Sequence, residues 1–155
     1  YAWTAPYVSQ SNYRYKVALL AGLTNDYASS LGNVPGAITA LSATAAALQG
    51  QGHTVVLSTD VDKFYNGDPT STTAWRADAA TGNPLIRTMG FSVVDFAAIP
   101  RLGRSGAAQN QEYMFHGYVH PNKNGHTLMA QECDRVLGPI LANMVNPKRR
   151  RKIIL

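Results

Sequence analysis

The sequence predicts an α/β domain in which helices cover both faces of a parallel sheet, giving three layers. Three short apolar runs alternate along the chain with three stretches of helical periodicity, an order typical of parallel strands joined by helical crossovers. Each run is apolar almost throughout, which indicates a strand that is buried on both faces. The chain has 155 residues, 45% of them hydrophobic and 15% charged, which is enough for one domain with its own core.

The predicted strands are residues 15–21, 53–58 and 91–96. Each is short, rich in Val or Leu, and bounded by glycine or polar residues, as buried strands commonly are. The loops that leave the carboxyl ends of parallel strands meet at one edge of the sheet, where open α/β folds bind their ligands. A functional site is therefore expected at that edge.

Helices are predicted in three places. The first begins at Asn33, a favoured N-cap residue, and ends near Gly50. The second spans about residues 73–89 and is expected to be interrupted near Pro84, because proline removes a backbone donor. The third follows Pro121 and carries a broad apolar face at helical spacing.

Two residues in the predicted edge loops could carry out chemistry. His120 stands directly before Pro121, and a neutral imidazole at this position can take a proton from a hydroxyl nucleophile. Asn25 follows the first strand, and its side-chain amide could donate to a developing oxyanion. The structural alternatives are that His120 only caps the last helix and that Asn25 is an ordinary turn residue.

Two segments resemble sequence blocks of the SGNH, or GDSL-like, hydrolases, which are serine esterases and acyl hydrolases of the lipase type. Residues 19–26, Leu-Leu-Ala-Gly-Leu-Thr-Asn-Asp, are similar to the third block of that family. Residues 119–126, Val-His-Pro-Asn-Lys-Asn-Gly-His, are similar to its fifth block. The similarity covers roughly residues 15–145 and implies a flavodoxin-like α/β/α fold.

The resemblance also implies roles for individual residues. His120 would be the catalytic base and Asn25 an oxyanion donor, and substrate-binding roles would fall to the neighbouring Gly22, Thr24, Asp26 and Asn122. The reaction would be serine acyl transfer on a small ester or an acylated carbohydrate. No cofactor is implied, and no metal is expected, because no carboxylate or thiolate near the histidines in sequence completes a ligand set.

The chain departs from the family pattern in two places. It contains no Gly-Asp-Ser segment, where the family keeps its nucleophile, and Gly117 stands where the family has the acid of Asp-x-x-His. The orienting acid would have to come from Asp95 or from another distant residue. The fold is therefore expected to be incomplete or rearranged at its first strand.

Three interpretations account for the missing nucleophile. The chain is a fragment of a longer polypeptide, a rearranged domain whose missing part lies on another chain, or a degenerate domain without catalysis. The resemblance favours an ester hydrolase whose nucleophile lies outside this chain. The alternative is an inactive SGNH-like module, a pseudoenzyme that binds carbohydrate or forms a structural part of a larger assembly.

The positive charge of the chain is concentrated near its end. There are 14 Lys and Arg against 9 Asp and Glu, a net charge of +5, and residues 148–152 are all basic. Residues 1–145, the predicted domain, are nearly neutral, so nucleic acid is not an expected partner. Residues 146–155 are then a basic tail, in which Ile153–Leu155 is either an incidental apolar end or a short strand. No apolar run approaches the length of a membrane span, and only the resemblance favours secretion.

Overall fold

The computed structural model describes residues 15–21, 23, 27, 33–116 and 119–145. Residues 22 and 24–26, which are predicted to follow the first strand, lie outside the described part. So does the tail, and the strand expected at its end therefore stays a prediction.

The described strands form one parallel sheet, as the sequence predicts. Val17 lies opposite Thr54 and Val56 lies opposite Ser92, and the strands follow their chain order across the sheet. The strands are β1 (Val17–Leu20), β2 (Thr54–Ser58) and β3 (Ser92–Val94). The α/β class is confirmed, whereas the finer three-layer description stays a prediction.

The third strand is shorter than predicted, because the chain turns at Asp95. The Asp95 carboxylate accepts hydrogen bonds from Thr59 at 2.7 Å and from Arg87 at 2.8 Å. Its carbonyl accepts from the Ala98 N–H at 3.0 Å, which opens a short 3₁₀ helix at Phe96–Ala98. These contacts lie outside the strand itself, so an apolar run could not reveal them.

Three α-helices connect and follow the strands: α1 (Val34–Gly50), α2 (Pro69–Arg87) and α3 (Lys123–Val145). The side chain of Asn33 caps α1 by accepting a hydrogen bond from the Gly36 N–H at 3.2 Å, as its residue type predicts. Helix α2 begins four residues before the predicted start, because Asp68 accepts from the Ser71 N–H at 2.9 Å and acts as its cap.

The interruption predicted at Pro84 does not occur, and α2 continues to Arg87. Proline removes the hydrogen bond to the carbonyl four residues earlier, which belongs to Ala80. Both Ala80 and Pro84 are exposed, so the released carbonyl lies on the solvent side of the helix. The helix therefore tolerates the proline at this position.

Alternate residues of β2 pack into two different clusters. Val55 and Leu57 join a cluster that contains apolar residues of α1 and α2, including the fully buried Trp75. Val56 joins a second cluster with apolar residues of α3, such as Leu137. Burial on both sides of β2 explains why its sequence is continuously apolar. In the described ranges, none of the helices has both the length and the apolar character that crossing a bilayer requires.

Candidate functional site

A cleft of about 680 Å³ opens at the carboxyl ends of β1 and β2. Its walls come from the end of β1, the segment that follows β2, one side of α1 and the loop that carries His120. His120 and the residues directly after β1, Ala21 and Leu23, therefore border the same space. Gly22, Thr24, Asn25 and Asp26 lie outside the described residues, so their predicted roles stay predictions.

His120 lies on a loop that the structure describes at residues 110–116 and 119–122, and these residues are called the His120 loop below. Met114 and Pro121 form an isolated antiparallel bridge, and the Phe115 N–H donates to the His120 carbonyl at 2.9 Å. The backbone of His120 is therefore fixed by its own loop. Its side chain is exposed, and it is one of the residues that line the cleft.

Asn122, predicted to bind substrate, has a well-defined structural contact at the start of α3. Its amide oxygen accepts from the N–H groups of Asn124 at 2.9 Å and Gly125 at 3.2 Å, which caps the helix. Its amide nitrogen donates to the carbonyls of Gln111 at 3.0 Å and Met114 at 3.3 Å. Asn122 therefore joins the His120 loop to α3, and any contact with substrate stays a prediction.

Gly125, which belongs to the same segment as His120 and Asn122, allows a close contact between α3 and the His120 loop. A side chain at this position would run into the carbonyl oxygen of Tyr113 and the ring of Pro121. Only glycine lets the first turn of α3 pack this closely on the His120 loop. Each of these three positions in the short segment thus has a physical role. His120 presents its imidazole to the cleft, Asn122 caps α3, and Gly125 lets the backbone of α3 approach the His120 loop.

The acid expected to orient His120 is not supplied by Asp95. Both carboxylate oxygens of Asp95 accept from Arg87, at 2.8 Å each, and one of them also accepts from Thr59. Burial alone would raise the pKa of Asp95, but the hydrogen bonds from Arg87 and Thr59 outweigh it and hold this pKa below its ordinary value. In the part of the chain that the structure describes, no carboxylate forms an ion pair with the His120 imidazole.

The segment that follows β2, residues 59–63, is mostly polar and buried, and it was not among the predicted site residues. The Asp60 carboxylate accepts from the Leu23 N–H at 2.8 Å, so it holds the chain just beyond β1. The Asn83 side chain bonds to both the N–H and the carbonyl of Asp60, at 3.0 and 3.2 Å. Polar residues directly after a predicted parallel strand are a signal that could have identified this segment.

Lys63 is the unusual member of this segment, because only 4% of it is exposed although it lines the cleft. Its ammonium nitrogen lies 5.8 Å from the centre of the Trp75 ring. Burial lowers the pKa of Lys63 from its ordinary value, and the nearby Asp60 carboxylate offsets only part of this shift. The cleft therefore contains an imidazole and an ammonium group.

A smaller cavity of about 280 Å³ lies beside α2 and is less suited to a ligand. Its arginines are already paired, Arg76 with Asp62 and Arg87 with Asp95, each at 2.8 Å. Among the described residues, no group of three or more His, Cys, Asp or Glu is arranged to hold a metal ion. The larger cleft is therefore the candidate site. No family model, curated protein or solved structure matches the chain.

Proposed function

We propose that this chain is the part of an SGNH-type ester hydrolase that supplies the histidine, with the nucleophilic serine outside these residues. The observation that carries the proposal is the position of His120, which borders the cleft at the carboxyl ends of β1 and β2. His120 would remove the proton from the serine hydroxyl as it attacks the ester carbonyl, and would return it to the leaving alcohol.

The strand order supports the proposal. In the flavodoxin-like order 2-1-3-4-5, the last three strands lie side by side in chain order, with the first strand next to the third. Here β1, β2 and β3 also lie side by side in chain order, and within the described residues β1 has a partner on one side only. A strand carrying the nucleophile would pair with the other edge of β1, beside the cleft.

The second candidate is a non-catalytic SGNH-like module, which binds carbohydrate or forms part of a larger assembly. Its support is the absence of an orienting carboxylate on His120 in the described ranges, together with Gly117 at the position of the acid. An imidazole without an acid beside it loses most of the acceleration of a triad.

The test is active-site labelling of the complete product of the gene that encodes this chain, using a fluorophosphonate probe. We expect labelling of one serine outside the 155 residues, loss of labelling in His120→Ala, and retention in the matched control His126→Ala, which alters another exposed histidine. The isolated 155-residue chain should not hydrolyse p-nitrophenyl acetate faster than its own His120→Ala variant. Labelling of a serine within the chain would refute an external nucleophile, and no labelling would favour the non-catalytic module.

A further inference from the structure

The Lys63 ammonium belongs to a nearly buried residue that lines the cleft. Among the described residues, no hydrogen bond and no ion pair involves it, although the residue is only 4% exposed. A buried charge is costly unless it is paired. We therefore expect the Lys63 ammonium to donate to an acceptor on a bound ligand.

Lys63 is one of the residues that line the cleft. In the described part of the chain, no fully buried side-chain nitrogen or oxygen lacks a hydrogen-bond partner. Since the Lys63 nitrogen has no such partner there, the described residues do not enclose it fully, and the cleft is the space that this residue lines. Its N–H donors are therefore available to a molecule that enters the cleft.

The backbone next to Lys63 is firmly held, and its side chain is nearly buried against the Trp75 ring, which restricts the position of the ammonium. The preceding residue, Asp62, accepts from Arg76 at 2.8 Å and from the Gly106 N–H at 2.9 Å. The Asp62 N–H donates to the Leu102 carbonyl at 2.7 Å. A fixed ammonium in a cleft loses little entropy when a ligand binds, which favours specific recognition.

We propose that Lys63 binds a carboxylate of the ligand, so that this cleft accepts an ester that also carries a free carboxylate on an apolar body. One ammonium close to the Asp60 carboxylate matches a monoanion better than a phosphate dianion, which would leave excess negative charge in the cleft. The apolar body would lie against cleft residues such as Leu20, Leu41 and Met129. The proposal deepens the proposed function, because it names a substrate class for the same cleft.

The test measures binding of sodium butyrate to the 155-residue chain by isothermal titration calorimetry, with butyramide as the neutral isostere. We expect butyramide to bind at least about tenfold more weakly than butyrate, since it lacks the charge-assisted hydrogen bond. Inorganic phosphate should bind no more tightly than butyrate.

Two variants separate the contribution of Lys63 from other effects. Lys63→Met should weaken butyrate binding about tenfold or more, whereas Lys123→Met, which alters an exposed lysine at the start of α3, should not change it. Butyrate binding requires no catalytic step, so a failure of the esterase proposal would leave this result unaffected. Equal affinity of Lys63→Met and the unaltered chain, equal affinity for butyramide, or tighter binding of phosphate would each overturn the inference.

A second measurement serves if Lys63→Met does not fold. A bound carboxylate favours the charged form of the amine, so saturating butyrate should raise the pKa of Lys63, followed by nuclear magnetic resonance of its Cε carbon. Butyramide should leave that pKa in place. A pKa of Lys63 that does not respond to butyrate would contradict the assignment without any variant.

Discussion

The segment that follows β2 and the His120 loop border the same cleft, but they use their polar side chains differently. Thr59, Asp60 and Asp62 are buried, and each bonds to a different part of the chain. His120 is exposed, with a fixed backbone and a side chain that lines the cleft. Polar groups of the first kind maintain the shape of the cleft, whereas a group of the second kind remains available to a ligand. Substitutions of Thr59, Asp60 or Asp62 should therefore affect stability, whereas substitution of His120 should affect activity.

The largest loss of stability is expected at Asp62. Its buried carboxylate accepts from Arg76, from the Gly106 N–H and from the Ala108 N–H, at distances from 2.8 to 3.2 Å. Asp62→Ala would leave these donors without an acceptor, so the free energy of unfolding should fall by about 3–5 kcal/mol. Urea denaturation measures this fall, with the exposed Asp134→Ala as the control, expected to change it by less than about 0.5 kcal/mol. If the two variants lowered the free energy of unfolding equally, the buried carboxylate of Asp62 would have no special structural role.

The next largest changes in stability are expected at two glycines of α3, and they should have opposite signs. Gly125→Ala places a methyl group against the Tyr113 carbonyl and should destabilise the fold by about 1–3 kcal/mol. Gly138→Ala meets nothing closer than a side-chain oxygen of Asp134 at 3.6 Å, so it should stabilise the helix by about 0.5–1 kcal/mol. Opposite shifts in melting temperature would support the close approach of α3 to the His120 loop. A neutral result at Gly125 would mean that the packing is looser.

A smaller, pH-dependent effect is expected at Asp95, whose pKa is held below its ordinary value despite burial, by hydrogen bonds from Arg87 and Thr59. A lowered pKa in the folded state adds stability above the unfolded value of about 3.9, and this stability is lost as the pH falls through the folded pKa. Asp95→Asn should lower stability at neutral pH by about 1–3 kcal/mol and flatten the acid limb of the stability curve. If the variant lost stability at low pH as steeply as the unaltered chain, the hydrogen bonds of Asp95 would not contribute to the pH dependence of stability.

The sequence predicted those features that depend on local signals. The continuous apolar character of β2 and the cap at Asn33 are readable from a few neighbouring residues, and the structure has both. The His120 motif was recognisable because its parts lie within one loop and the first turn of α3. The parallel order followed because helices separate the strands.

The sequence could not predict features that depend on contacts between distant residues. The early end of β3 is caused by bonds from Thr59 and Arg87 to Asp95, and the burial of Lys63 depends on its packing against Trp75. The expected break at Pro84 was wrong because solvent exposure on one side of α2 cannot be read from the proline alone. Lys63, on which the ligand-binding proposal rests, lies in a polar segment that carries no sequence motif.

The role of His120 as the catalytic base is tested most directly by the hydrolysis of p-nitrophenyl acetate. Hydrolysis is compared between the complete gene product and its His120→Ala variant, with unfolding measured on the same samples. We expect His120→Ala to lower kcat by a factor of about 10³ or more. Because the side chain is exposed, the free energy of unfolding should change by less than about 0.5 kcal/mol. Hydrolysis that survives the loss of His120 in a folded protein would contradict the claim that this imidazole is the base.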